Sequence, residues 1–377
     1  MLNNLMKIHL DKIAKETLYD KNGLLVYTYN DNIREKGYCN PKGVNIGDYI
    51  QTLAARQFIP EINNYTDRDQ LGIYDGDNIN MIVNGWHYFW EKNKIFSKKI
   101  KPLFVSFHIN NPEQVSKETL KYLKENEPIG CRDYNTRDFL LKNDIKAYFS
   151  ACLTLTLGET YRIKNEERNN NIYFVGYKII DDKINPIDKK IKEILEKFPE
   201  NKIFYKTHHY PLNTDYKGCL YEAQSLLKDY AKAKLVITTK IHCALPCLAL
   251  GTPVILIIPE FDKKRFKGIS NLLNHIGFDE NNNFICKINK DEYGNIINTN
   301  EYLKYANYLK EICMTFMKIK QINHTQFNKV DFIYHKTSEK YLPINKFKFI
   351  KKIKKGNTRL IILLGFLKFT YKKHPKV

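Results

Sequence analysis

Residues 235–259 read LVITTKIHCALPCLALGTPVILIIP, and this stretch decides the fold. Leu235 to Thr238 and Val254 to Ile258 are apolar runs rich in β-branched side chains. Such runs suit strands buried on both faces of a parallel sheet. Between them, Ile241 to Leu250 reads as a helix of small residues, stopped by Gly251 and Pro253. The unit is strand, helix, parallel strand, with Thr238, Thr239, Lys240 and His242 where the first strand ends. Ligands of open α/β sheets bind at the carboxyl ends of strands. A helix N-terminus there favours an anion, because its N–H groups are unpaired and the positive end of its dipole faces out. Lys240 and His242 point the same way, although a plain capping turn with a solvated lysine and a satisfied histidine would read alike.

Outward from this unit, strands and helices alternate through both halves. Leu24 to Tyr29 reads as a first strand. Gly43 to Asp48 is a glycine turn, with Gly47 allowing close backbone approach and Asp48 placed to cap a helix from Tyr49 to Phe58. Asn78 to Val83 is a strand ending in Asn84, Gly85, Trp86 and His87; Leu103 to Phe107 is another, ending in His108. A helix over Val115 to Asn126 is followed by a strand from Pro128 to Cys131 that opens onto Arg132 and Asp133. Asn135 or Thr136 caps the next helix, and Tyr148 to Leu157 reads as a strand. In the second half, Ile172 to Val175 and Ile203 to Lys206 are strands, the latter opening onto His208 and His209. Helices cover Ile187 to Phe198, Leu220 to Ala233 and Tyr302 to Met317. Another starts over Ser270 to His275, after Lys263, Lys264 and Arg265. The pattern predicts an α/β fold of two doubly wound, Rossmann-like domains, residues 1–165 and 166–335, facing across a ligand-binding cleft.

The remaining residues, 336–377, form a basic tail. From Lys346 onward there are ten Lys, one Arg and no acidic residue, so much of the net charge of +20 is local. Phe347, Ile350 and Ile353 at helical spacing predict an amphipathic helix lying on an anionic membrane face. No apolar run is long enough to span a bilayer, and the N-terminus has no signal-peptide core. The expectation is a cytoplasmic protein, peripheral at the inner face of the cell membrane. Eight cysteines without a C-x-x-C pair read as free buried thiols of a reducing compartment, and no metal site is expected.

The cationic and imidazole side chains at strand ends are Arg132, Lys206, His208, His209, Lys240, His242 and Arg265. A cleft holding these and few carboxylates suits a phosphate- or carboxylate-bearing substrate. There is no P-loop and no G-x-G-x-x-G, which argues against a Walker NTPase or a classical NAD enzyme. Asp67-Arg68-Asp69 and Asp75-Gly76-Asp77 have the D-x-D form of metal-dependent sugar transferases but sit in polar stretches and read as loop acids.

Several segments together resemble the polysaccharide pyruvyl transferase family. They are Gly47-Asp48, Asn84-Gly85-Trp86, LFVSFHIN from Leu103, PIGCRD from Pro128 with Thr136, FSACLTLT from Phe149, Lys206-Thr207-His208, and Val236 to Pro253. The resemblance spans roughly Gly43 to Gly277 and implies a GT-B-like fold. It also implies transfer of a pyruvyl group from phosphoenolpyruvate to sugar hydroxyls, giving a cyclic ketal in cell-surface polysaccharide synthesis, with no metal or organic cofactor. Arg132 matches the family's R-D arginine, and His242 the histidine after its R-[IL]-H turn. Lys240 stands where the family usually has arginine, keeping charge but losing the bidentate fork. On this basis Arg132 and His242 are the expected catalytic pair. Thr239, Lys240, Lys206, His208, His209 and Arg265 hold the donor, and Gly47, Asp48, Asn84, Gly85, Trp86 and His108 line the acceptor side. The expected partners are phosphoenolpyruvate and a sugar or glycan, lipid-linked or free. Two alternatives keep other classes open. A GT-B nucleotide-sugar glycosyltransferase would use Glu260 or Asp262 on the ribose. A basic nucleic-acid-binding protein is disfavoured because the charge sits at one end and no basic-aromatic module is present.

Overall fold

The computed structural model describes residues 4–27, 43–89, 95–180, 185–210, 215–279, 281–322, 350–355, 358–363 and 367–372. The chain divides into two compact units, Met1–Phe332 and Ile333–Val377.

In the first half of the large unit, α1 (Asn4–Ala14) precedes β1 (Lys21–Val26). The two-residue β2 (Val44–Asn45) leads into α2 (Ile46–Arg56), and β3 (Asn64–Asp67), β4 (Ile79–His87) and β5 (Ile100–Ile109) follow. Next come α3 (Lys117–Glu125), β6 (Ile129–Cys131), α4 (Tyr134–Lys142) and β7 (Ala147–Phe149). Six of these strands form a sheet in the order β3-β1-β4-β5-β6-β7, every pair parallel. The chain runs from β1 outward to β3, then returns to the other side at β4. The strand order therefore reverses between β1 and β4, the place where open α/β sheets leave a crevice.

The second half repeats the scheme. It contains β8 (Asn171–Val175), α5 (Pro186–Leu195), β9 (Lys202–Lys206), β10 (His209–Tyr210), α6 (Tyr216–Lys232), β11 (Leu235–Thr238), α7 (Ile241–Leu250) and β12 (Val254–Ile258). After these come β13 (Asn274–Phe278), β14 (Phe284–Lys287) and α8 (Leu303–Phe316). The sheet order is β14-β13-β12-β11-β8-β9, parallel except for the antiparallel edge strand β14, with its reversal between β8 and β11.

The β11–α7–β12 unit has the boundaries its sequence predicts. Gly251 ends α7 in the left-handed region at φ 72°, which lets its N–H bond back to Cys247 and Leu248 carbonyls. Elsewhere tertiary context overrides local pattern. The stretch from Tyr148 is a strand only to Phe149. Ala151 turns at φ 58° into a short 3-10 helix, Leu153–Thr156, all of it buried. Ser270–Leu272 is a single 3-10 turn and His275 lies in strand β13, not in a helix. The β-branched and aromatic content of NHIGF favours the pleated, buried position beside β12.

One continuous apolar core runs from Leu24, Ile50 and Phe104 to Leu227, Leu245 and Phe316, and a smaller one covers the far face of the second sheet around Ile172, Ile191 and Ile255. β2 and β10 pair antiparallel across the halves, Asn45 opposite His209 and Val44 opposite Tyr210. α8, late in sequence, packs on the first half: Tyr308 Oη lies 2.5 Å from Tyr148 Oη, which is 2.7 Å from His9 Nδ1 on α1.

The tail is not helical in its described residues. Ile350–Lys355, Thr358–Leu363 and Leu367–Lys372 (β15 to β17) form an antiparallel sheet, with Lys355 opposite Thr358. TRLIIL is rich in residues that lose rotamer freedom in a helix and not in a strand, which is why the helical spacing of Ile350 and Ile353 misleads. Phe347 and the rest of residues 323–349 lie outside the described residues. Among the described residues no helix is long and apolar enough to cross a membrane.

Candidate active site

Strand β6 delivers the first group of side chains. Arg132 N–H extends the sheet by donating to Phe107 O at 2.9 Å. Asp133 then caps α4, its Oδ1 accepting from Thr136 N–H at 2.9 Å; neither Asn135 nor Thr136 is the cap. The other carboxylate oxygen lies 2.6 Å from Nδ1 of His108, at the end of β5. Burial pushes the Asp133 carboxyl up, but His108, Arg132 and the Thr136 N–H together hold it at about 2. Burial, and then the Arg132 charge, bring His108 down to about 4 against the pull of Asp133. At neutral pH the carboxylate is therefore charged and the imidazole neutral. The carboxylate accepts Nδ1–H, which leaves the lone pair on Nε2. Arg132 itself is 3% exposed. Its Nε is 3.7 Å from Asp133 Oδ2 and has no hydrogen-bond partner among the described residues.

The central unit supplies the opposing group. His242 sits in the first turn of α7, buried, with no hydrogen-bond partner for Nε2 among the described residues. Burial lowers its pKa well below the usual imidazole value, and Arg132 is the largest charge acting in the same direction, followed by His208, Arg265 and His108. Arg132, just after β6, and His242, in the first turn of α7, are thus near enough for the one charge to act on the other ring. His208 donates to or accepts from Tyr230 Oη at 3.0 Å and is brought down to about 3 by burial and the Lys240 charge. Gly47 packs directly on this junction. A Cβ there would lie 2.8 Å from His208 Nδ1 and 3.4 Å from His242 Cβ, so the close approach of α2 needs the missing side chain.

Several expected roles change. Asp48 lies in the first turn of α2, while the cap is Asn45, whose Oδ1 accepts from Gly47 N–H at 3.1 Å. Asp48 is buried, accepts from Gln51 Nε2 at 3.3 Å, and acts by its charge on Arg132, Arg68 and Tyr27. Lys206 is half-buried and ion-paired with Asp229 at 2.7 Å. The Thr239 hydroxyl donates to Gly176 O at 3.0 Å and closes the turn between β8 and β11. His209 is exposed and serves the β2–β10 pairing. Lys240 occupies the N-cap position of α7 without a side-chain capping bond, half-buried beside Gly176. Arg265 is exposed, yet its charge reaches His108, Arg132 and His242. Glu260 is exposed, and the Asp262 side chain lies outside the described residues.

Asn84, Gly85 and Trp86, expected just after a strand ending at Val83, lie within β4, which runs on to His87. Asn84 Nδ2 donates to Gln51 O at 2.9 Å. What the sequence reading missed is Arg68. Asp67, Arg68 and Asp69 are buried and not solvated loop acids, and the Arg68 guanidinium grips Asp69 through two bonds of 2.8 and 3.1 Å. The exposed Asp75 and Asp77 pair with Lys99 and Lys21. Two acids separated by an arginine was the signal available, since a cation between them neutralises a buried D-x-D. Among the described residues no group of three or more His, Cys, Asp or Glu could hold a metal ion.

Six buried histidines, His9, His87, His108, His208, His242 and His275, have their pKa lowered by burial. Each binds its proton more readily unfolded than folded, so stability falls as pH drops below the unfolded value of about 6.5. Between pH 7 and pH 5 the expected loss is about 2 kcal/mol for each of His9, His108 and His208, brought down to about 3, about 4 and about 3. Thermal melts should show it, and His9→Gln, remote from the site, should make the pH dependence shallower by one proton's worth. A melting temperature independent of pH over this range would remove the argument.

Residues 45–260, more than half of the chain, match the family model described as polysaccharide pyruvyl transferase. The chain belongs to the polysaccharide pyruvyl transferase family. It is accordingly a transferase. The match includes Asp48, Arg68, Trp86, His108, Arg132, Asp133 and His242. No curated protein matches. Among solved structures, the chain is similar to an uncharacterised protein of Klebsiella pneumoniae subsp. pneumoniae NTUH-K2044, with 13% identity and a TM-score of 0.37 over 70% of this chain and 93% of that one. That likeness adds nothing to the fold argument.

Proposed function

We propose that the enzyme transfers a pyruvyl group from phosphoenolpyruvate to two hydroxyls of a sugar, forming a cyclic ketal and releasing phosphate. The observation that supports this reading is the His108–Asp133 pair beside buried Arg132, whose charge also acts on His242 in the first turn of α7. A small trianionic donor needs a desolvated cation with unpaired donors, and Arg132 offers its guanidinium with Lys240 and the helix N–H groups close by. Neutral His108, its tautomer held by Asp133, takes the proton of the attacking acceptor hydroxyl at Nε2. His242 takes up a proton as the donor's negative charge arrives and delivers it to the methylene carbon of the donor. That carbon becomes methyl, and positive charge develops on the central carbon. Two acceptor oxygens then bond to the central carbon, its bond to the phosphate oxygen breaks, and the two hydroxyl protons balance the new C–H and the leaving phosphate. No metal or organic cofactor enters these steps. The acceptor belongs to cell-surface polysaccharide synthesis in the cytoplasm. A lipid-linked glycan held near an anionic membrane face suits the ten lysines from Lys346 onward.

The test is incubation with phosphoenolpyruvate and the host's own glycan precursors, following inorganic phosphate and product mass. Phosphate release that depends on the acceptor, with a product heavier by one pyruvyl ketal, is the expected result. Acceptor turnover with nucleotide sugars and none with phosphoenolpyruvate would replace this reading with glycosyl transfer.

A further inference from the structure

The fully buried Arg68 has no place in the donor chemistry. Burying an ion pair such as Arg68–Asp69 contributes little net stability, because desolvation offsets the Coulomb attraction. Its guanidinium carbon lies 3.6 Å from the centroid of the Trp86 ring and 5.0 Å from that of Tyr27. Tyr88 packs perpendicular to the same indole, centroids 4.6 Å apart at 89°. Trp86 is thus held by the Arg68 guanidinium over its ring and by the Tyr88 ring. It is also the partly exposed member of a buried run, since Gly85, His87 and Tyr88 beside it are all buried.

The backbone is shaped to put it there. The β4–β5 register slips between Val83 and Gly85, a bulge of the kind that re-aims a side chain. Gly85 has φ 96°, and a Cβ on it would lie 2.6 Å from Tyr27 Oη and 3.0 Å from Gln51 Oε1. Past the bulge, Trp86 is the direct cross-strand partner of His108. Residues opposite each other in adjacent strands project from the same face of the sheet. The indole therefore stands beside the imidazole that takes the acceptor's proton in the reading above.

We propose that Trp86, positioned by Arg68 beneath it, is the platform on which the acceptor's pyranose ring stacks. The apolar C–H face of a sugar suits a flat, neutral, amphipathic surface, whereas the donor's anionic groups belong with Arg132. A ring lying on Trp86 presents hydroxyls at its rim to His108. This rests on the pyruvyl-transfer reading and adds to it the residue that selects a sugar ring and the residue that fixes its angle. Arg68 touches the platform and not the sugar.

The experiment has a binding arm and a kinetic arm. In a Trp90→Phe background, Trp86 is the sole tryptophan, because the chain has two. Titration with the methyl β-glycosides of glucose, galactose and mannose should give a saturable fluorescence change with at least one of them. In the kinetic arm, Trp86→Leu should raise the acceptor KM about tenfold or more, leaving the KM for phosphoenolpyruvate within twofold. Arg68→Lys keeps the charge and loses the planar stack, and should raise the acceptor KM in the same direction with the donor KM unmoved. Flat fluorescence with all three glycosides, or a Trp86→Leu enzyme whose acceptor KM is unchanged, overturns the platform. Failure of pyruvyl transfer itself is seen separately, as a wild-type enzyme that binds glycoside but releases no phosphate from phosphoenolpyruvate.

Discussion

Arg132→Ala is expected to lower kcat/KM for the pyruvyl donor by about a thousand-fold or more, a loss of about 4 kcal/mol of transition-state stabilisation. Arg132 is buried with its charge only partly answered: Asp133 is 3.7 Å from Nε, and that carboxylate already holds His108 at 2.6 Å. A guanidinium desolvated to this degree and left short of bonds is poised for an incoming anion. The same shortfall means that its removal costs the fold little, so the variant should melt close to wild type. Losing Arg132 also removes the largest charge depressing His242, whose pKa should rise towards the ordinary imidazole range. Arg132→Lys should recover only part of the activity, since an ammonium cannot form two parallel bonds to a carboxylate or phosphate. Steady-state phosphate release and a thermal melt decide the matter. Turnover within tenfold of wild type would take Arg132 out of the mechanism.

Asp133→Asn should lower kcat by roughly two to four orders of magnitude while leaving stability within about 1 kcal/mol. Asparagine is as good an N-cap as aspartate, so the bond from Thr136 N–H and the start of α4 survive. What changes is the partner of His108. A carboxylate can only accept, and forces Nδ1 to carry the proton; an amide can also donate to Nδ1, which places the proton on Nε2 and removes the base. The substitution separates the cap from the catalytic support, which Asp133→Ala would not. The donor KM should move little, because Asp133 does not face the donor's charge with a donor group. Near-normal kcat in Asp133→Asn would mean that His108 is not the base.

These residues differ in how far the sequence exposes them. Arg132 is legible because it follows a short apolar strand directly, and His242 because it opens the helix after one; strand ends are where such folds bind ligands. His108 is legible as a polar end to LFVSFHIN, but its pairing with Asp133 is not. The two are 25 positions apart, with a whole helix and a strand between them, and nothing local fixes the distance. Lys206 reads as a site residue at a strand end, yet Asp229 on α6 neutralises it from 23 residues away. Arg68 reads as surface because charged runs usually are; its burial depends on Trp86, Tyr27 and Tyr88 closing around it. Trp86 therefore reads as a motif residue, and its support from beneath appears only when β3 lies beside β1.

From sequence alone came the alternation of strands and helices, the β11–α7–β12 unit to its end residues, and the cation- and imidazole-bearing strand ends. All of these follow from short-range rules: burial sets the apolar runs, and glycine and proline set the breaks. Tertiary structure decided the rest. It determined that α8 packs on the first half, that one core joins the halves, that Asp133 and not its neighbours caps α4 while fixing His108, and that Arg68 lies under Trp86. Each of these depends on long-range contacts between groups whose separation in the chain carries no periodic signal. Their energies come from burial and desolvation that exist only once both partners are in place.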